Sequence, residues 1–177
     1  MSLEEIRQEI NTIDAGMKEL FLQRMECSGQ VAEEKKRTKG SVYVPEREAE
    51  MIARGISDVP EEKKPEYEML LKQVITISRT YQYAQMELPE GLKEISGYRG
   101  ELLLEFSWGD NAEQVSGALV ALNMAGLALQ RIQTERQGET MRCQIKISGD
   151  FTEALAKGAV MQIYEENQDV SVQKISE

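Results

Sequence analysis

The sequence predicts a two-domain protein in which an all-helical half is followed by an α/β half. In the first half, apolar residues recur at alternating steps of three and four, the spacing of a heptad seam along one helix. After a segment rich in proline and glycine, short apolar runs alternate with turn residues, which is typical of strands. We therefore expect a helical domain over residues 1–88 and a βαββαβ domain over residues 99–177.

One long helix is predicted over residues 2–39, since no proline occurs before Pro45. Its seam consists of Leu3, Ile6, Ile10, Ile13, Met17, Leu20, Arg24, Cys27 and Val31. Shorter helices are expected over residues 45–54 and 66–87. At 1.5 Å per residue the first helix is about 57 Å long, whereas the other two are about 16 and 33 Å long. Two such short helices cannot cover the whole seam, so we predict a homodimer in which the long helices pair.

The second half is predicted to contain four strands and two helices. Strands are expected over residues 101–107, 127–134, 141–148 and 169–175, and helices over residues 112–125 and 152–166. Their order along the chain is βαββαβ, which is the ferredoxin-like arrangement.

The composition excludes several kinds of site. The chain has 21 basic and 31 acidic residues, a net charge of −10 and no histidine. This balance argues against nucleic-acid binding, and the lack of histidine removes the commonest general base and histidine-containing metal sites. We expect no metal and no cofactor. Without a signal peptide or a long apolar run, a cytoplasmic location is expected. Cys27 and Cys143 are too few for a disulfide framework and are expected to be reduced and structural.

Arg24 is the first candidate for binding chemistry, because it interrupts an otherwise apolar seam. A guanidinium desolvated there is costly unless an anion meets it. Lys35 lies on nearly the same helix face, about 16 Å further along the axis, so both side chains could close on one small anion. The alternative is that Arg24 pairs with a buried glutamate from another helix and that Lys35 is an ordinary exposed lysine.

Two further pairs of polar residues lie at helical spacing. Ser78 and Gln82 interrupt the apolar pattern of the third helix at positions i and i+4, so they share one face. Arg47 and Glu48 fall in the first turn of the second helix. Each pair also has an ordinary explanation, since serine and glutamine on helices are usually solvated and a glutamate near a helix N-terminus is favoured by the dipole.

The ordered set of these residues is more specific than any member. The chain reads LxxIRxxIxxID over residues 3–14, Arg24 follows Arg7 by 17 residues, and Lys35 follows Arg24 by 11. The string VPERE and the SxxxQ spacing complete the set. Along its first half the sequence resembles the all-helical chorismate mutase family. This resemblance implies three helices per chain, an intertwined dimer, and two active sites that each use both chains to rearrange chorismate to prephenate in aromatic amino-acid biosynthesis.

The resemblance also implies a role for each candidate residue. Arg24 would bind one substrate carboxylate and Arg7 of the partner subunit the other, with Ser78 helping to seat a carboxylate. Lys35 and Gln82 would donate hydrogen bonds to the ether oxygen of the breaking bond. Glu48 would hold the substrate hydroxyl, with the backbone of Arg47 nearby.

One position departs from the family pattern. Val44 stands where the family commonly has an aspartate that also contacts the hydroxyl. This departure supports a competing hypothesis, in which the helical half is a catalytically silent dimer with a regulatory or interaction role. A purely coiled-coil adaptor is a third hypothesis.

The second half resembles the ACT domain, a small module that often senses amino acids. The GAL and ESRP motifs of aromatic-sensing members are not retained at the aligned positions. Two functions therefore stay open for this half: binding of an amino-acid effector near Asp110 and the Gly126 turn, or dimerisation without a ligand.

Overall fold

The computed structural model describes residues 1–109 and 113–175. The helical half contains α1 (Leu3–Thr38), α2 (Pro45–Gly55) and α3 (Lys64–Tyr83). A capping box starts α1, in which the Ser2 hydroxyl accepts from the backbone N–H of Glu5 and the Glu5 carboxylate accepts from that of Ser2. All three predicted helices are confirmed, the first two to within one residue at each end.

The third helix ends four residues earlier than predicted. Beyond Tyr83 the chain forms turns, in which the N–H groups of Gln85 and Met86 donate to the carbonyls of Gln82 and Tyr83. Met86 then packs against the core. The apolar spacing continued past the end of α3 because these turn residues are partly buried, and spacing alone cannot distinguish such a turn from a helix.

The second half contains six elements in the predicted order. They are β1 (Arg99–Trp108), α4 (Glu113–Met124), β2 (Ala128–Gln137), β3 (Thr140–Asp150), α5 (Ala154–Glu166) and β4 (Gln168–Ile175). The strands form one sheet in the order β2-β3-β1-β4, and each neighbouring pair is antiparallel. The first residue of the predicted helix 112–125 and the effector position Asp110 lie outside the described residues.

The core lies on one face of this sheet. Alternate residues of β1 and β3 are buried, as expected for a sheet with one covered face. They are Leu102, Leu104, Phe106 and Trp108 on β1, and Cys143, Ile145 and Ile147 on β3. Helices α4 and α5 contribute Ala121 and Val160 to the same cluster. The opposite face is largely polar where described, with Lys146 paired to Glu101 at 2.7 Å, although Leu103 and Ile175 also lie on it.

Helix α3 joins the two halves. It packs on α5 and α4 as well as on α1 and α2. The Thr80 hydroxyl donates to Gln162 Oε1 at 2.5 Å, and Tyr83 is buried in the same cluster as the sheet residues. The segment expected to be a linker also contributes, since its 3₁₀ helix (Glu90–Ile95) buries Leu92 completely. The two halves therefore share one hydrophobic core.

The solvent exposure of helix α1 differs between its first part and its second part. Every residue from Met1 to Leu20 is exposed, including the apolar seam. Contact with α3 begins further along, and the buried residues of α1 are Ser28 and Ala32. These lie one position away from the seam residues Cys27 and Val31, so the apolar seam over residues 3–20 is left exposed within the chain. The expectation that Cys27 is a structural, packed thiol is wrong for the isolated chain, because it is exposed on the seam, whereas Cys143 is buried.

Within the described residues, no helix is both long and apolar enough to cross a membrane.

Candidate active site

A pocket of about 240 Å³ lies between the second half of α1, the start of α2 and the end of α3. It is smaller than the typical range for drug-sized ligands and suits a small molecule. Six of the seven predicted site residues line it: Arg24, Lys35, Arg47, Glu48, Ser78 and Gln82. The seventh, Arg7, lies on the exposed part of α1, about 25 Å from Arg24 along the helix. One chain therefore brings six of the residues together and leaves Arg7 apart.

Arg24 is held from α3 by polar groups. Its Nη1 donates to the Ser78 hydroxyl and, at 3.4 Å, to the carbonyl of Val74. No carboxylate in the described parts of the chain lies within ion-pair distance of it, so the predicted alternative of a buried glutamate partner is wrong. Burial lowers the pKa of Arg24. The guanidinium thus lies half-buried at the pocket without a counter-ion.

Lys35 also points into the pocket region. It is half-buried, and its Nζ donates to the carbonyl of Val42 at 2.7 Å. Burial and the positive charges of Arg47 and Arg79 lower the pKa of Lys35, against the opposing effect of Glu48. An ordinary exposed lysine would not show these effects, so that alternative is wrong. The ammonium retains two further donors for a ligand.

Ser78 and Gln82 are buried, with 4% and 8% of their surface exposed, so the alternative that they are solvated is wrong. The Ser78 hydroxyl lies within 2.9 Å of the Val74 carbonyl besides accepting from Arg24. Gln82 Oε1 is buried and has no hydrogen-bond partner within residues 1–109 and 113–175. A buried amide oxygen without a donor costs free energy, and an N–H or O–H group of a ligand could satisfy it, while the amide N–H groups of Gln82 remain donors.

Glu48 is not merely a helix-dipole residue. It accepts from Nη1 of Arg79, and only 18% of its side chain is exposed. Burial raises the pKa of Glu48, while the charges of Arg79 and Lys35 oppose that rise. The carboxylate is therefore oriented by a residue of α3, whose positive charge favours the ionised form against the effect of burial.

Sequence reasoning missed Arg79. Its guanidinium contacts Glu48 on one side and Glu166 of α5 on the other, with Nε 2.7 Å from Glu166 Oε1, and lies 5.0 Å from the centre of the Tyr43 ring. Burial lowers the pKa of Arg79, but the two carboxylates outweigh it and the net pKa is raised. A signal was available, because Arg79 follows Ile75 by four residues on the buried face of α3, much as Arg24 interrupts the seam of α1.

Val44 occupies the N-cap of α2 and lines the pocket. No side-chain hydrogen bond caps the helix there. An aspartate at this position could cap the helix and face the pocket together. The departure from the family pattern therefore removes a polar group from the pocket wall.

A second, larger cavity of about 890 Å³ lies between α2 and α3 on one side and α4 and α5 on the other. Glu48, Ile75 and Arg79 line both cavities. Among the described residues, four carboxylates and two cations line the larger cavity, whereas one carboxylate and four cations line the smaller. Of the two, only the smaller pocket has a charge suited to a dianion, in a chain whose net charge is −10.

Comparison with known proteins agrees with this geometry. Residues 6–83 match the family model for chorismate mutase type II, a stretch somewhat shorter than half of the chain. The matched stretch ends at the last residue of α3 and contains all seven predicted site residues. A search of curated proteins found no match.

Proposed function

We propose that this protein is an isomerase converting chorismate to prephenate, as the match of residues 6–83 implies, and that it does so in the pocket lined by Arg24 and Lys35. The observation that carries this proposal is the charge of the pocket. Two half-buried cations, Arg24 and Lys35, face one cavity, and neither forms an ion pair with a carboxylate of residues 1–109 and 113–175. The substrate chorismate is a small dicarboxylate and would supply the missing negative charge. Its rearrangement to prephenate would be a step of aromatic amino-acid biosynthesis.

We assign the roles as follows. Arg24, supported by Ser78, binds one carboxylate, and Arg7 of the partner subunit binds the other. Lys35 and Gln82 donate to the ether oxygen, Glu48 accepts from the substrate hydroxyl, and the backbone of Arg47 lies beside that hydroxyl. The contacts of Arg24 with Ser78 and of Glu48 with Arg79 support this assignment, because they orient side chains that the reaction needs in fixed positions.

The reaction suits a site without histidine. The rearrangement is a concerted shift within one molecule, in which the C–O ether bond breaks as a new C–C bond forms, and no proton leaves or enters. Catalysis then consists of holding the reactive conformer and stabilising the negative charge that grows on the ether oxygen. Two preorganised donors, each contributing about 3 kcal/mol, would account for much of a 10⁶-fold acceleration, which requires about 8 kcal/mol.

A homodimer follows from this assignment. Arg7 cannot reach the pocket of its own chain, since it lies about 25 Å from Arg24 along a straight helix. The exposed seam over residues 3–20 supports pairing of α1 with a second chain, because a soluble protein rarely leaves such a long apolar stripe in water. We infer that each dimer contains two sites, each with Arg7 from one chain and the other six residues from its partner.

For the second half we propose an ACT-like domain of ferredoxin-like fold over residues 99–177, following a mutase domain over residues 1–88. The element order and the antiparallel strand order β2-β3-β1-β4 support it. Regulation through this half, by an amino-acid effector, is one hypothesis, and a dimerising scaffold is the other. A thermal-shift scan of the amino acids separates them: stabilisation by one of them at millimolar concentration supports the effector, and none supports the scaffold.

Loss of chorismate absorbance with the purified chain tests the activity. Lys35→Ala should lower kcat by about 10²- to 10³-fold, the usual effect of removing one such donor. The matched control is Lys36→Ala, whose side chain is exposed and pairs only with Glu33 among the described residues. Full activity in Lys35→Ala would mean that the site is elsewhere, and no activity in the wild type would favour the catalytically silent dimer.

A further inference from the structure

One guanidinium connects the candidate site to the C-terminal half. Arg79 of α3 contacts Glu48 of α2 through Nη1 and Glu166 of α5 through Nε. Only 12% of the Arg79 side chain and 11% of that of Glu166 are exposed, so water competes little for these contacts. The three residues come from three helices and from both halves of the chain.

We propose that Arg79 is a positioning residue that holds Glu48 for the substrate hydroxyl, and that Glu166 holds Arg79 in place from the C-terminal half. The proposal rests on the proposed function, which assigns Glu48 to that hydroxyl. It adds Arg79 and Glu166 to the residues that support the site. Glu166 lies 118 positions from Glu48 in the sequence and outside the matched stretch 6–83.

The contacts of Glu48 explain why Arg79 matters. Within the described residues, Arg79 is the one cation that forms an ion pair with Glu48, since Lys35 donates to the Val42 carbonyl instead. A carboxylate at the end of a flexible side chain needs such a partner to occupy one position. Arg79 also opposes the effect of burial, which would otherwise favour the protonated carboxyl. A protonated Glu48 would be a poorer acceptor for the substrate hydroxyl.

The contacts of Arg79 explain why Glu166 matters. An arginine side chain has several rotatable bonds, so the contact with Glu48 alone does not determine the orientation of the guanidinium. The Glu166 carboxylate lies 2.7 Å from Nε as an ion pair, without the alignment of a hydrogen bond, and restricts the guanidinium by charge and contact, while the Tyr43 ring packs against it. Glu166 is itself held, because Gln162 Nε2 donates to its other oxygen at 3.2 Å and Thr80 donates to the amide oxygen of Gln162. A continuous polar network therefore runs from α5 to the pocket.

Arg79→Gln tests the first step through its pH profile. The charged and titratable groups near Glu48 are Lys35 on α1, Arg47 on α2, Arg79 on α3, Glu113 on α4, Glu166 on α5, and Tyr43 before α2. Removing the Arg79 charge leaves burial and the nearby carboxylates, which raise the pKa of Glu48. KM for chorismate should therefore rise more steeply than in the wild type as the pH is lowered, with kcat changed less. Arg79→Lys, which keeps the charge, should restore part of the affinity. A pH profile unchanged from wild type overturns the proposal.

Glu166→Gln tests the second step and keeps the buried volume. We expect KM to rise by about tenfold or more, as for a small misplacement of a binding group. Glu165→Gln is the matched control, because Glu165 is the preceding residue of α5 and is exposed, and it should match the wild type. In a Glu48→Gln background, Glu166→Gln should have no further effect on KM. A wild-type KM for Glu166→Gln, or an equal effect in both backgrounds, would contradict positioning through Glu48.

The outcomes separate this proposal from the proposed function. If Lys35→Ala abolishes activity but Glu166→Gln leaves it unchanged, only the positioning role is overturned and the proposed function stands. If the wild type has no mutase activity, a carbon-13 NMR titration of Glu48 still decides the first step. A raised Glu48 pKa in Arg79→Gln supports the contact, and an unchanged pKa overturns it.

Discussion

Helices α1 and α3 have opposite relations to the rest of the chain. The first 20 residues are exposed throughout, whereas α3 is packed against α1 and α2 on one side and α4 and α5 on the other. Both helices supply residues to the pocket, Arg24 and Lys35 from α1 and Ser78 and Gln82 from α3. The difference indicates that α3 connects the two halves of one chain, and it supports our proposal that the exposed part of α1 pairs with a second chain.

The largest effect is expected from a charge placed on the exposed seam of α1. Ile13 is 55% exposed, so Ile13→Glu loses few contacts within its own chain. In a dimer the new carboxylate would be buried without a partner, at a cost of several kcal/mol. We expect a folded monomer without mutase activity, as measured by sedimentation, circular dichroism and chorismate consumption.

The control for this substitution is Gln8→Glu, on the opposite face of α1. It adds the same charge to the same exposed stretch and should leave a fully active dimer. Retention of the dimer in Ile13→Glu would mean that the seam is not the interface.

A smaller effect is expected from crowding the contact of α3 with α5. A Cβ added at Gly158 would lie 2.6 Å from the backbone nitrogen of Ala84, just after α3. Gly158→Ala should therefore lower the free energy of unfolding by about 1–3 kcal/mol, the usual cost of overpacking. Gly117→Ala in α4 is the control, since its Cβ would meet no described atom within 4 Å. It should be neutral or stabilise by up to about 1 kcal/mol, because alanine favours helix. Equal effects in urea unfolding would show that the halves are not tightly packed.

The smallest expected effect is a gain in stability and in affinity for chorismate. Val44→Asp places an acceptor at the uncapped N-terminus of α2 and should raise the free energy of unfolding by about 0.5–2 kcal/mol. The same carboxylate would face the substrate hydroxyl, so KM for chorismate should fall a few-fold. Val44→Ala is the comparison and should show neither gain. A lower stability in Val44→Asp would mean that the new charge repels Glu48 more than it caps the helix.

Much of the fold was predictable because it depends on local spacing. The heptad seam predicted one long helix, whose observed ends lie within a residue of those expected, and the change of pattern after the linker predicted the order of the strands. The predicted end of α3 was wrong by four residues, because the partly buried turn residues after it keep a helix-like spacing. The shared core was missed as well, since the burial of Leu92 in the expected linker depends on tertiary packing.

The candidate site was harder to predict from residue spacing than the fold was. Periodicity singled out Arg24 and the Ser78–Gln82 pair, but their grouping with Lys35, Arg47 and Glu48 came from the family resemblance. Arg79 was missed because its two partners are distant in the sequence, and the partner on α5 lies in the other half of the chain. Burial of Ser78 and Gln82, which decided against the solvated alternative, likewise depends on how α1 packs on α3.

The most direct test of a site shared between two chains is complementation. Arg7 and Lys35 lie on one helix about 42 Å apart, so they serve different sites if the dimer is intertwined. Arg7→Ala and Lys35→Ala should each be nearly inactive alone. When the two variants are unfolded, mixed and refolded together, half of the dimers should be mixed, and each mixed dimer should contain one intact site. We therefore expect about a quarter of the wild-type activity to return, the fraction given by random pairing. A mixture no more active than its two components would contradict the account.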